Sequence, residues 1–122
     1  MAEARGRHRV EVSRGDIVVS ASPGDFGKPR PAVVVQSDLF NLTHASIVIC
    51  PITSYLVDAP LFRLTVRPSV ENGLKSESQI MVDKITALRR ERIGRRVGRI
   101  SDAEIAAIDR ALALWLELGV AR

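Results

Sequence analysis

Only one cysteine, two histidines and three lysines occur among the 122 residues, and no uninterrupted apolar run comes near the roughly 18 residues of a membrane-spanning helix. Each scarcity excludes something. The lone Cys50 cannot close an intrachain disulfide, and inside Ile47-Val48-Ile49-Cys50 it reads as a small core residue of a protein from the reducing cytoplasm. His8 lies in a basic stretch and His44 has no second histidine nearby, whereas a metal centre needs three or four convergent ligands. No acidic cluster of the kind that holds Mg²⁺ between carboxylates and phosphate is present, so neither metal nor other cofactor is expected. The chain also lacks a Ser-His-Asp order, a Cys-His pair, a P-loop and a dinucleotide glycine motif, which excludes hydrolases built on those devices. Its N-terminus is basic but has no apolar segment behind it, so neither secretion nor membrane insertion is expected.

What is present is an arginine-rich, moderately apolar chain. Hydrophobic residues make up 46%, enough for one continuous core and a single domain. The net charge of +4 is carried by 15 arginines, whose planar forks suit phosphate, and this favours a nucleic-acid partner. Residues 1–13, with Arg5, Arg7 and Arg9, read as a disordered basic tail. The domain is expected over residues 14–119.

Within it, short β-branched runs alternate with turn formers. Strands are expected at Ile17–Ser20, at Pro31–Gln36, whose near-continuous valines predict burial on both faces, and at Ala45–Cys50, ended by Pro51. Ser37–Asn41 has the chemistry for one helical turn. Phe62–Val66 alternates, placing Arg63 and Thr65 on one face; Ser78–Asp83 places Gln79, Met81 and Asp83 on one face and sends Ile80 and Val82 to the core. Lys84–Arg99 holds seven cations and one acid, the strongest basic patch. Ser101-Asp102-Ala103-Glu104 is a capping box, and Ile105, Ile108, Leu112, Trp115 and Leu116 form one helical stripe up to a stop at Gly119. The predicted fold is mainly β with one terminal helix (α+β): a small, strongly bent open barrel of five to seven antiparallel strands with the helix packed over it.

The candidate site gathers at strand ends. Pro29 and Pro31 stiffen the backbone around Arg30, which is either an anion-binding cation or a solvated strand-end residue. In the preceding loop Phe26 is a packing anchor or a base-stacking platform, with Lys28 beside it. Thr53, Ser54, Gln79 and Asp83 add hydroxyls, an amide and a carboxylate. Such a set suits binding a phosphodiester and stabilising charge that develops on it, with RNA supplying its own nucleophile, the 2′-OH.

Arg14-Gly15-Asp16-Ile17-Val18, Arg30-Pro31-Ala32-Val33-Val34-Val35-Gln36-Ser37-Asp38, Phe40-Asn41, Pro51-Ile52-Thr53-Ser54, Gly73-Leu74-Lys75 with Ser78, Asp83-Lys84-Ile85 and Gly98-Arg99-Ile100-Ser101 follow one another in an order that resembles the MazF/PemK toxins, from about Ser13 to Leu118. The resemblance implies an SH3-like barrel, a homodimer, and sequence-specific, metal-independent cleavage of single-stranded RNA held in check by a cognate antitoxin. It matches Arg30 to the family's catalytic arginine and Thr53 to its catalytic hydroxyl. Asp83 matches an aspartate implicated in members that also carry an arginine two residues earlier. This chain has Met81 there. That departure makes Arg30 and Thr53 the catalytic pair and leaves Asp83 with Phe26, Lys28, Ser54 and Gln79 as RNA-binding residues. Two rivals share the fold: a gyrase poison resembling CcdB, whose Trp-Gly-Ile end has no match in Gly-Val-Ala-Arg here, and a non-catalytic RNA-binding barrel.

Overall fold

The computed structural model describes residues 11–21 and 28–119. Their elements run β1 (Asp16–Ser20), β2 (Arg30–Val34), α1 (Asp38–Asn41), β3 (Ser46–Thr53), β4 (Arg63–Val66), β5 (Ser78–Met81), a 3₁₀ turn (Val82–Lys84), β6 (Thr86–Arg89), a second 3₁₀ turn (Arg90–Arg92), β7 (Ile93–Arg99) and α2 (Asp102–Leu116). The sheet has seven strands in the order β4-β5-β3-β2-β1-β7, with β6 branching off against β3. Every pairing is antiparallel.

The longest strand, β3, serves two partners along one edge: Ser46–Ile49 pair with β6 and Ile52–Thr53 with β5. Pro51 therefore does not end the strand as the sequence suggested. It falls between those two partners and still registers with Ala32 on the other edge, at a place where a missing N–H leaves no ladder gap.

Neighbouring residues of a strand face opposite ways, and here both faces are buried. Ile17, Val33, Cys50, Ile52, Ile80 and Val82 enter one core, which α2 covers with Ile108 and Ala111. Val18, Ala32, Val34, Ile47, Ile49 and Ile93 enter a second. The valine run thus behaves as expected, with Ala32, Val33 and Val34 fully buried. Val12 belongs to the second core as well, so ordered structure begins before residue 14; a single valine between Glu11 and Ser13 offers no periodic signal. The rest of the expected basic tail, residues 1–10, lies outside the described residues.

Two further expectations need correction. The strand read over Ser78–Asp83 stops at Met81, where its partner β4 begins with Arg63. Val82 then donates to Phe62 O (3.0 Å) and accepts from Ile85 N (3.2 Å), turning the chain while keeping its side chain in the core. The capping box forms as predicted, but α2 ends at Leu116, with Glu117 in the left-handed region (φ 59°) and Leu118 N reaching back to Ala113 O at 2.7 Å. Gly119 lies beyond that stop. The stripe is covered only through Leu112; Leu114, Leu116 and Leu118 are exposed, and Trp115 is 47% exposed while its ring meets Phe62 at a centroid distance of 5.3 Å.

The β4–β5 connection closes the bent sheet by docking on the far edge strand. Arg99 N donates to Glu71 O at 2.8 Å, and the Asn72 amide knits the turn by accepting from Ser69 N and Leu74 N and donating to Arg67 O. Contact is so close that a Cβ on Gly98 would stand 2.4 Å from the Asn72 carbonyl atoms. Gly98→Ala should lever the turn off β7 and cost about 2 kcal/mol, lowering Tm by roughly 8 °C in thermal circular dichroism. An unchanged Tm would show that the turn is not the clasp described here.

Candidate active site

The register of β2 against β3 builds the site. Ala32 faces Pro51, Val33 faces Cys50 and Val34 faces Ile49; continued by two residues, the same register sets Arg30 opposite Thr53. Directly opposed residues share a face. Arg30 thus ends the series Val34-Ala32 and Thr53 ends the series Ile47-Ile49-Pro51, both belonging to the second core's face, so alternation that buries aliphatic side chains along the strands delivers a cation and a hydroxyl at their ends. Both line one cavity of about 630 Å³, together with Ser54, Ser78, Lys75 and Arg95. Val19, Leu74 and Val97 form its apolar wall.

Thr53 is held in a defined orientation. Its Oγ1 accepts the N–H of Tyr55 at 3.0 Å, which occupies a lone pair and leaves the hydroxyl proton to donate. Arg30 opens β2 in register with Ser20, whose hydroxyl donates to the Arg30 carbonyl at 3.0 Å. The arginine is exposed, on a backbone fixed by Pro29, Pro31 and the β1 ladder.

The remaining predicted residues divide. Ser54 reaches the cavity. Lys28 is exposed beside it and does not line it; Phe26 lies outside the described residues. Gln79 registers with Thr53 in the ladder, but its amide accepts from Val57 N (3.0 Å) and donates to Val57 O (2.8 Å), pinning the loop that follows Thr53. Asp83 takes both prongs of Arg63, Nε at 2.7 Å and NH2 at 3.1 Å, with each side chain about one-seventh exposed. Neither Gln79 nor Asp83 lines the cavity. Sequence reasoning quoted Lys75 and Ser78 only as parts of a motif and left Arg95 inside a run of cations; their convergence depends on how the β4–β5 connection lies against β7.

The hydrogen bonds from Arg63 hold the Asp83 carboxyl below its ordinary range and raise Arg63 in turn. A depressed carboxylate stabilises the fold above its unfolded pKa, and that contribution fades as pH falls through the acid range. Asp83→Asn should therefore cost about 2–3 kcal/mol near neutral pH by stranding a guanidinium, and should flatten the acid limb of the stability profile in urea titrations. Activity per folded molecule should stay near wild type. Cys50 is inert for a different reason: burial pushes its thiol up to about 12. Among the described residues no three His, Cys, Asp or Glu side chains converge as a metal site, and no helix is long and apolar enough to cross a membrane.

A family model described as the PemK-like, MazF-like toxin of type II toxin–antitoxin systems matches residues 13–116. The chain belongs to the MazF/PemK family. A probable endoribonuclease MazF of Mycolicibacterium smegmatis is 40% identical over 104 residues, covering 84% of this chain and 94% of the relative. Endoribonuclease MazF9 of Mycobacterium tuberculosis is 34% identical over 103 residues, covering 80% and 86%. The fold is shared with toxin MazF-mt6 of Mycobacterium tuberculosis (TM-score 0.74, 18% identity, 86% of this chain and 99% of that one) and with a MazE–MazF crystal structure from Deinococcus radiodurans (TM-score 0.72, 20% identity, 90% and 100%). The seven-stranded open sheet with its C-terminal helix is the MazF architecture.

Proposed function

We propose that this MazF/PemK toxin is a sequence-specific endoribonuclease that cuts single-stranded RNA by transesterification, without a metal. The observation that carries this reading is the convergence of Arg30 and Thr53, from adjacent strands, on one cavity. In the reaction the 2′-OH gives up its proton as its oxygen bonds to the adjacent phosphorus, and the P–O5′ bond breaks with its electron pair leaving on the 5′ oxygen, which is protonated. The products are a 2′,3′-cyclic phosphate and a 5′-OH. A guanidinium stays charged throughout, so Arg30 acts by neutralising the phosphorane oxygens, and Thr53, its acceptor side already occupied, donates a hydrogen bond to one of them. Mapping 5′ ends on a long RNA incubated with purified protein tests the reading: a short recurring cut sequence is expected, and intact RNA would overturn it.

Cleavage of cytoplasmic mRNA halts translation, so such a chain needs restraint, and one structural neighbour, an endoribonuclease from a mycobacterial species, is solved in complex with its cognate antitoxin. An acidic, partly disordered antitoxin tail laid over exposed cations of the Lys84–Arg99 run fits that need. A homodimer is the assembly expected of the family, and the uncovered leucines at the end of α2 supply apolar surface for it. Light scattering at micromolar concentration should give twice 13.4 kDa; a monomer mass would count against the dimer.

A further inference from the structure

Several of the described arginines are already committed. Arg90 is buried, donating from Nε to His44 O and from NH2 to the carbonyls of Asn41 and His44. Arg92 donates to Ala21 O, Arg96 and Arg99 share Asp16, and Arg63 holds Asp83. Arg95 and Lys75 are different: both are exposed, neither side chain makes a hydrogen bond or ion pair with another described residue, and both line the cavity that holds Arg30 and Thr53. They arrive from separate directions, Arg95 from β7 and Lys75 from the connection clasped onto β7 by Gly98. Two cations with no partner among the described residues, brought to the cavity that holds Arg30, add positive potential that suits an anionic substrate.

We propose that Arg95 and Lys75 are positioning residues that hold the phosphates flanking the scissile one, setting where along the cavity the RNA strand lies. The inference rests on the RNA-cleavage reading and adds the subsite. The cavity's other contacts fit this division. Among the described residues the wall, formed by Val19, Leu74 and Val97, carries no aromatic side chain, and Ser54 and Ser76 present hydroxyls that donate and accept alike while Ser78 Oγ donates to Ser76 O, so these residues suit fixing strand register rather than reading base identity. Each phosphate contact displaces condensed counterions, which makes its signature a salt slope.

The test uses the full-length protein and a single-stranded RNA oligonucleotide carrying the mapped cut site, with one 2′-deoxy position to block cleavage in binding assays. Arg95→Ala and Lys75→Ala should each weaken binding about tenfold near 0.1 M salt. Each should also lower the slope of log Kd against log salt by about 0.7, and the double variant by about 1.4. In single-turnover cleavage the loss should appear mainly as a higher half-saturating RNA concentration rather than as a lower limiting rate, and Arg95→Lys should keep the wild-type slope. Arg96→Ala, which removes a cation engaged with Asp16, is the control and should leave the slope unchanged. If wild type cuts RNA but Arg95→Ala and Lys75→Ala bind with unaltered affinity and slope, or if Arg96→Ala loses as much, the positioning role is wrong. If wild type neither binds nor cuts RNA, the underlying function has failed instead.

Discussion

Arg30→Ala and Thr53→Ala should each slow single-turnover cleavage by about two orders of magnitude or more while circular dichroism stays native. Both side chains line an open cavity and neither is buried, so truncation leaves no buried void. On the proposed mechanism each removes one donor aimed at charge that exists only in the transition state, a loss worth about 3 kcal/mol. Arg30→Lys should fail substantially too, since a point charge cannot span two phosphorane oxygens as a planar fork does. Thr53→Ser should recover much of the rate, because the serine hydroxyl can accept the same Tyr55 N–H and point its proton the same way. Alanine variants within a few-fold of wild type would remove the assignment.

A substrate with 2′-deoxyribose at the single cleavage position should bind almost normally and stay uncut, the largest effect expected here. One hydroxyl is a small part of the contact surface, yet it is the attacking group. The donor set also fits a route with no metal-bound water: two guanidinium groups, hydroxyls and an ammonium line the cavity, with no carboxylate among the described lining residues. Cleavage should therefore persist in excess EDTA, and the downstream fragment should accept phosphate from a kinase without prior dephosphorylation. Loss of cleavage on chelation, or comparable cutting of the 2′-deoxy substrate, would overturn the mechanism.

The contrast between Arg30 and Asp83 shows how far the sequence reaches. Arg30 could be picked out because proline chemistry acts locally at Pro29 and Pro31, and the strand register then brings it to one cavity with Thr53. Asp83 reads from the sequence as an RNA-binding carboxylate on the exposed face of a strand over Ser78–Asp83. Its fate was decided by Arg63, twenty positions earlier, through a strand pairing that no local pattern encodes. Pro51 misled for the same reason, since whether a missing N–H matters depends on which partner strand lies beside it. Arg95 was hidden by its neighbours: in a run where nearly every second residue is a cation, only the fold separates those that brace carbonyls and carboxylates from those that face the substrate cavity.

The half-exposed Trp115 is the sole tryptophan of the chain, placed at the uncovered end of α2 against Phe62. Its fluorescence is thus a built-in gauge of that surface rather than of either core. Emission from an isolated chain should already be red-shifted by water, and a shift to the blue should follow whatever covers the leucines around it. A titration of protein concentration read at this one chromophore can follow self-association with no label, and it stays blind to RNA entering a cavity that Trp115 does not line.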